Sequence, residues 1–151
     1  MANELSTNVN EIVQYIVIRI GDEQYGIDIK YIDNIVRMQQ ITRVPQVPDY
    51  FKGVINLRGE VLPVLSLRLK MGLSQDEITK DTRIIIIKME AHEAIGVMVD
   101  SVKEVVNLST AEIERVGFDR DGDRGNYAMG IGKHEDGLIT LLDMDLVLQG
   151  L

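Results

Sequence analysis

No cysteine and no tryptophan occur among the 151 residues of this chain. The first absence removes disulfide staples, thiolate metal sites and a cysteine nucleophile, and it fits a reducing compartment. The second, with only five Tyr and two Phe, leaves little aromatic surface on which bases could stack. Positive charge is short as well: 16 Lys and Arg face 24 Asp and Glu, a net charge of −8. Affinity for a polyanion comes largely from basic side chains that displace counterions. The basic residues here are scattered, so nucleic acid is not an expected partner. No apolar run approaches the ~20 residues of a membrane helix, and no membrane insertion is expected. Met1–Ser6 is polar and acidic, unlike a secretory signal. The glycines match neither a phosphate loop nor a dinucleotide fingerprint. None of the five Ser lies in a Gly-x-Ser-x-Gly frame. Nothing calls for a cofactor.

What the chain does contain is a repeat. Tyr25–Val36 matches Ile95–Val106 at an offset of 70, and Gly53–Leu67 matches the segment from Gly130 to Met144 at an offset of 77. Both pairs stand in the same order, so the chain reads as one unit built twice. A groove is expected between the halves, and that favours binding over catalysis. The length suits one domain, or two small halves sharing a core.

The local pattern is mostly strand. Ile12–Ile20 and Tyr25–Ile29 predict a hairpin around Gly21-Asp22-Glu23-Gln24. Ile29, Ile32, Ile35 and Val36 fall three to four apart and predict a short helical turn, with Val102 and Val105 in the matching turn of the second half. Ile41–Val44 predicts a strand ended by Pro45 and Pro48, and Asp49–Gly53 one helical turn closed by Gly. Val54–Leu67 reads as a hairpin turning at Arg58-Gly59, with Gly59 at positive φ. Pro63 predicts an edge or a bulge. Short helices are expected over Leu67–Met71 and Asp143–Leu148. The polar connector Ser74–Asp81 is the expected seam between halves 12–72 and 82–149, which are free to exchange terminal segments. Arg83–Met89 opens the second half. The change of offset requires an insertion there, placed at the Gly- and Asp-rich loop Val116–Gly125. Many short strands with frequent turns predict barrels.

Candidate chemistry is thin. His92 and His134 each stand beside a Glu in a turn, where a solvated side chain outweighs half a catalytic dyad. Asp119, Asp121 and Asp123 alternate like the start of a calcium loop, but its sixth position is Arg124 and its twelfth Gly130, so the turn Gly and bidentate Glu are missing. Asp143 and Asp145 are explained equally by a helix cap and a surface acid. A small-ligand or metal-dependent enzyme using Asp28, Asp100 and His134 is the alternative to a binding protein, and no convergent constellation supports it. Core burial accounts for most of Ile32, Ile35, Val102 and Val105, yet short elements beside a groove also present contact residues. Arg58 in a turn is ordinarily solvated, but Arg is also favoured at binding hot spots.

The run Gly53-Val54-Ile55-Asn56-Leu57-Arg58-Gly59, followed by Pro63 and an aliphatic strand, resembles the signature of CheW-type chemotaxis coupling proteins. Gly21–Ile29, Thr42-Arg43-Val44-Pro45 and Gly96–Asp100 resemble the same family in the same order, and the likeness covers roughly residues 12 to 148. It implies a single CheW-like domain over 1–151: mainly β, two similar five-stranded SH3-like β-barrels packed together, with a few short helices. It implies no catalytic activity, no cofactor and no metal. The implied partners are the cytoplasmic tip of chemoreceptors and the regulatory domain of the histidine kinase CheA. The implied location is the cytoplasm, recruited to membrane-bound receptor arrays. Carried over by motif, receptor contacts fall on Ile32, Asn34, Ile35, Arg58, Val99, Val102 and Val105, in the groove between the barrels. Kinase contacts fall on Ile41, Thr42 and Val44, with Phe118 on the other barrel for ring closure. Asn34 stands where many members carry a Glu able to pair with the motif Arg.

Calorimetry is expected to show no micromolar calcium binding at Asp119–Asp123, because a site without its Glu and turn Gly binds at about 10⁻³ M or weaker. A micromolar affinity would revive the metal-dependent alternative.

Overall fold

The computed structural model describes residues 11–90, 93–115, 127–135 and 137–149. His92 and the whole of the expected insertion loop Val116–Gly125, with Phe118 and Asp119–Asp123, lie outside them. Eleven strands are seen among the described residues: β1 Ile12–Ile20, β2 Glu23–Asp28, β3 Ile32–Arg37, β4 Phe51–Leu57, β5 Glu60–Ser66, β6 Arg83–Ile87, β7 Ile95–Val99, β8 Ser101–Ser109, β9 Glu114–Arg115, β10 Ala128–His134 and β11 Gly137–Leu142. Two one-turn helices, α1 Leu67–Lys70 and α2 Met144–Val147, follow β5 and β11. The fold is mainly β.

The strands form a six-stranded sheet, β8-β1-β2-β11-β10-β9, and a five-stranded sheet, β3-β6-β7-β5-β4. The compact units follow the sheets and interleave the sequence halves. The first takes residues up to Ile18, Asp22–Ile29 and those from Lys103 on; the second takes Arg19–Gly21 and Lys30–Val102. The first therefore joins two strands from the start of the first half to four from the second, and the second joins two strands from the start of the second half to three from the first. The first buries a cluster of Tyr15, Val17, Val106, Leu108, Ile139 and Leu141. The second buries Ile55, Leu62, Val64, Ile84, Ile86 and Met98.

The repeat survives in the hydrogen-bond register. Gly53 opposes Val64 across β4–β5, and Gly130 opposes Leu141 across β10–β11, each just after a bulge. β7 runs parallel to β5 with Gly96 beside Val64, and β2 runs parallel to β11 with Gly26 beside Leu141. The hairpins end alike too. Ser66 N donates to Tyr50 O and Asp143 N to Tyr127 O, both at 2.7 Å. The Ser66 hydroxyl and the Asp143 carboxylate then accept amides of the helices they cap, which satisfies donors that a helix start leaves open.

Several local expectations are corrected. Ile29–Tyr31 is one turn of 3₁₀ helix, but Ile32–Arg37 is strand. A bulge between Ile32 and Asn34 sets Ile32 opposite Ile87 and Ile35 opposite Ile85. The extra residue puts side chains three apart on one face, and that spacing imitates a helix. Val102 and Val105 likewise stand on β8. Of Ile41–Val44 only Thr42 pairs, bridging Val54; Pro45, Pro48 and a positive φ of 61° at Gln46 stop a strand there. Asp49-Tyr50 is a turn, and Phe51 already belongs to β4. Pro63 is neither at an edge nor at a bulge. β5 is flanked by β4 and β7, and pairing to β7 begins one residue later, at Val64.

Gly53 and Gly130 share a register but differ in tolerance. Gly53 has φ +142°, and a Cβ there would overlap the Thr42 carbonyl oxygen; at Gly130 a Cβ would meet the movable Ile113 Cγ2 at 2.8 Å. Gly53→Ala is expected to lose about 2–4 kcal/mol of stability, and Gly130→Ala about 1 kcal/mol. Urea denaturation of the two variants checks the order, and equal losses would contradict it.

Candidate functional site

β3 is an edge strand of the five-stranded sheet. Its register spreads a row of side chains across that sheet: Leu65 beside Val97, Val97 beside Ile85, and Ile85 beside Ile35. The first three are at most 1% exposed, whereas Ile35 at the edge is half-buried. Ile32, Ile87 and Ile95 form the next row on the same face. The opposite face carries Asn34 and Val36, aligned with Ile86 and Ile84 of the core cluster. The structure thus brings Ile32, Ile35 and Val99 to one face and puts Asn34 on the other. Val99 is fully buried, while Ile32 and Asn34 are half-buried. Asn34 Oδ1 turns back to accept the Ile35 amide at 2.9 Å, sealing one donor of the edge.

Arg58 occupies the tip of the β4–β5 hairpin. Leu57 pairs with Glu60, so the loop has two residues, and both have positive φ: 54° at Arg58 and 82° at Gly59. That is a type I′ turn, whose twist matches the flanking strands. Asn56 Oδ1 accepts the Gly59 amide at 3.1 Å and fixes it further. A left-handed backbone at a residue other than Gly, Asn or Asp costs about 1–2 kcal/mol. Arg58 is exposed, and among the described residues its guanidinium has neither hydrogen bond nor ion pair. Strain is held here for a side chain that does nothing for the isolated fold. Asn34, engaged with the backbone of its own strand, is not its partner.

Val102 is half-buried in the second unit, and Val105 is 49% exposed on the part of β8 that belongs to the first. Ile41 packs against the core cluster of the second unit. Thr42 is exposed apart from its two backbone bonds to Val54, at 2.8 and 2.9 Å. Val44, 36% exposed, lines an open depression of about 580 Å³ with Ile41, Pro45, Phe51 and Ile78. Phe51 and Ile78 were not singled out by the sequence, because no periodicity links a strand start to a distant connector.

The acids of the enzymatic alternative have structural partners. Asp100 Oδ2 accepts Arg68 Nη1 at 2.6 Å and the Gly21 amide at 2.8 Å. Arg68 Nε and Nη2 also reach the Ser74 carbonyl and hydroxyl, both at 3.1 Å. This network fastens α1, the connector and the end of β7. His134 Nε2 lies 4.0 Å from both Glu104 and Glu135. Among the described residues no group of three or more His, Asp or Glu could hold a metal ion. No helix among them is long and apolar enough to cross a membrane.

A family model described as the CheW-like domain matches residues 14–151. The chemotaxis protein CheW of Helicobacter pylori is 40% identical over 139 residues, spanning 92% of this chain and 83% of that one. CheW of Bacillus subtilis is 38% identical over 133 residues, spanning 88% and 85%. The crystal structure of the scaffolding protein TtCheW from Thermoanaerobacter tengcongensis superposes with a TM-score of 0.84 at 29% identity, over 92% of this chain and 94% of that one. A register-matched pair of hairpins, a mainly β fold and a match over nearly the whole length agree, and the chain belongs to the CheW-like family of chemotaxis scaffold proteins.

Proposed function

We propose that this protein is a cytoplasmic adaptor that couples the cytoplasmic tip of chemoreceptors to the regulatory domain of the histidine kinase CheA in membrane-bound arrays. Its family is one of non-catalytic scaffolds, so its work is to hold partners. The observation that carries the receptor half is Arg58: exposed, without a partner among the described residues, and kept at a φ that an Asn or Gly would occupy at less cost. Ile32 and Ile35 supply apolar contact at a sheet edge of the second unit, Val99 is buried on the same face of that sheet, and Asn34, Val102 and, on the first unit, Val105 are assigned by resemblance alone. The kinase half rests on Ile41, Thr42 and Val44. There one bridged residue and two prolines hold an extended segment beside an open depression of mixed lining, apolar at Ile41, Val44, Phe51 and Ile78 and polar at Arg43, Asp49, Lys52 and Gln75, a composition suited to another protein's side chains. Phe118 is assigned to a second kinase contact by resemblance alone.

Three substitutions separate fold from function, read by thermal melts beside titration with a receptor cytoplasmic fragment. Arg58→Glu is expected to change stability by no more than about 0.5 kcal/mol and to weaken receptor binding about thirty-fold or more. Arg58→Asn is expected to raise stability by about 0.5–1 kcal/mol, because it relieves the left-handed backbone, and still to weaken binding. Ile35→Asp is expected to remain folded at a cost of about 1–3 kcal/mol, since an edge position lets the carboxylate reach water, and to abolish binding. A folded Arg58→Glu variant with normal receptor affinity removes the carrying observation. Val44→Asp is expected to weaken kinase binding about tenfold while receptor affinity holds. Loss of both together would contradict separate surfaces.

A further inference from the structure

The last pair between β3 and β6 sets Arg37 directly opposite Arg83. Residues so opposed point to the same face with Cβ atoms about 5 Å apart, and like charges in that position destabilise a sheet. Arg83 is half-buried, and its Nη1 donates to the carbonyls of Lys80 at 2.8 Å and Thr82 at 2.9 Å. Those bonds fix the guanidinium but do not neutralise it. Arg37 is exposed. Among the described residues neither arginine has a carboxylate within ion-pair distance. The arrangement is conspicuous in a chain with 24 acidic residues against 16 basic ones, where a counter-charge would be easy to supply.

The pair also adjoins the apolar contact surface. Arg37 lies two residues beyond Ile35 on β3 and shares its face, and Arg83 stands beside Val99 on β7. Two residues along a strand span about 6.6 Å, so neighbouring side chains of one partner can reach both Arg37 and Ile35. We infer that Arg37 and Arg83 form a two-pronged site for a carboxylate on the receptor tip, placed beside the apolar group that packs over Ile35. This rests on the adaptor reading and adds a charge pattern to it. Guanidinium groups suit the task because each offers parallel N–H donors to a carboxylate. In the free protein the two cations repel; in the complex one anion satisfies both. The pair thereby selects receptors that carry an acid at that distance from their apolar anchor and disfavours those with a cation there.

Titration of a receptor cytoplasmic fragment into the wild type, Arg37→Gln and Arg37→Glu tests this, at about 50 and about 300 mM salt. Arg37→Gln is expected to weaken binding about threefold and Arg37→Glu about tenfold or more, with both losses smaller at the higher salt. The unbound Arg37→Glu protein is expected to melt about 1–3 °C higher, because it replaces a repulsive cross-strand pair with an attractive one. Unchanged receptor affinity in Arg37→Glu, with Arg58→Glu still impaired, overturns the carboxylate site and leaves the adaptor reading in place. A wild type that binds no receptor overturns both, whatever the melting temperatures. A lower melting temperature for Arg37→Glu would show that Arg37 already has a counter-charge within the fold, and would also overturn the site. Self-association of the wild type that Arg37→Glu abolishes would assign the carboxylate to a second copy of this chain instead.

Discussion

Two parallel strand contacts hold this fold together, and each joins one sequence repeat to the other. β2 lies against β11 with Gly26 beside Leu141, and β7 lies against β5 with Gly96 beside Val64. Every other interstrand pairing with a described register is antiparallel. At both junctions a side chain on the glycine would have to displace a neighbouring methyl. A Cβ on Gly26 would come within 2.8 Å of Leu141 Cδ2, and one on Gly96 within 2.8 Å of Ile84 Cγ2. Neither unit can complete its sheet without strands from both ends of its repeat pair. The chain therefore cannot be divided at its connector into two halves that fold alone. Such long-range pairing costs loop entropy before it is rewarded, which makes for slow folding.

The sequence displays part of this directly. The paired glycines at offsets of 70 and 77 mark positions whose registers prove equivalent; backbone excludes a Cβ at Gly53, and at Gly26, Gly96 and Gly130 a Cβ would press on a neighbouring side-chain methyl. The Arg58-Gly59 turn is legible from its glycine and flanking alternation, and Asp143 from its place before an apolar helix start. Other features are not legible, for definite reasons. Ile32 and Ile35 are three apart, which in a regular chain signals a helix; a bulge at Asp33 produces the same coincidence of faces in a strand. Exchange of strands between repeats leaves no trace in periodicity, since each strand keeps its alternation whichever sheet it joins. The opposition of Arg37 and Arg83 depends on the β3–β6 register, which that same bulge shifts. Strand propensity alone would not pair them.

The polar groups divide by employment. Asp100, Arg68, Ser66, Asp76 and Asp143 are consumed in holding turns, helix starts and the connector in place. Their energy is spent on rigidity, and a rigid frame lowers the entropy lost when a partner docks. Arg58 and the Arg37–Arg83 pair are different, since the isolated fold gains nothing from their charge. A frame that engages Asp76, Asp100 and Asp143 internally while presenting strained or opposed cations at turns and edges suits the proposed role in recognition. In the proposed adaptor, Ile32, Ile35 and Val44 are the apolar contacts that such charges would orient rather than replace.

An adaptor must hold both partners at once, and that requirement can be measured directly. Analytical ultracentrifugation of the protein with a receptor cytoplasmic fragment and the CheA regulatory domain is expected to show a three-component species, its formation promoted by each pairwise affinity. Competition, in which added kinase domain displaces receptor fragment and no ternary species forms, would contradict the account.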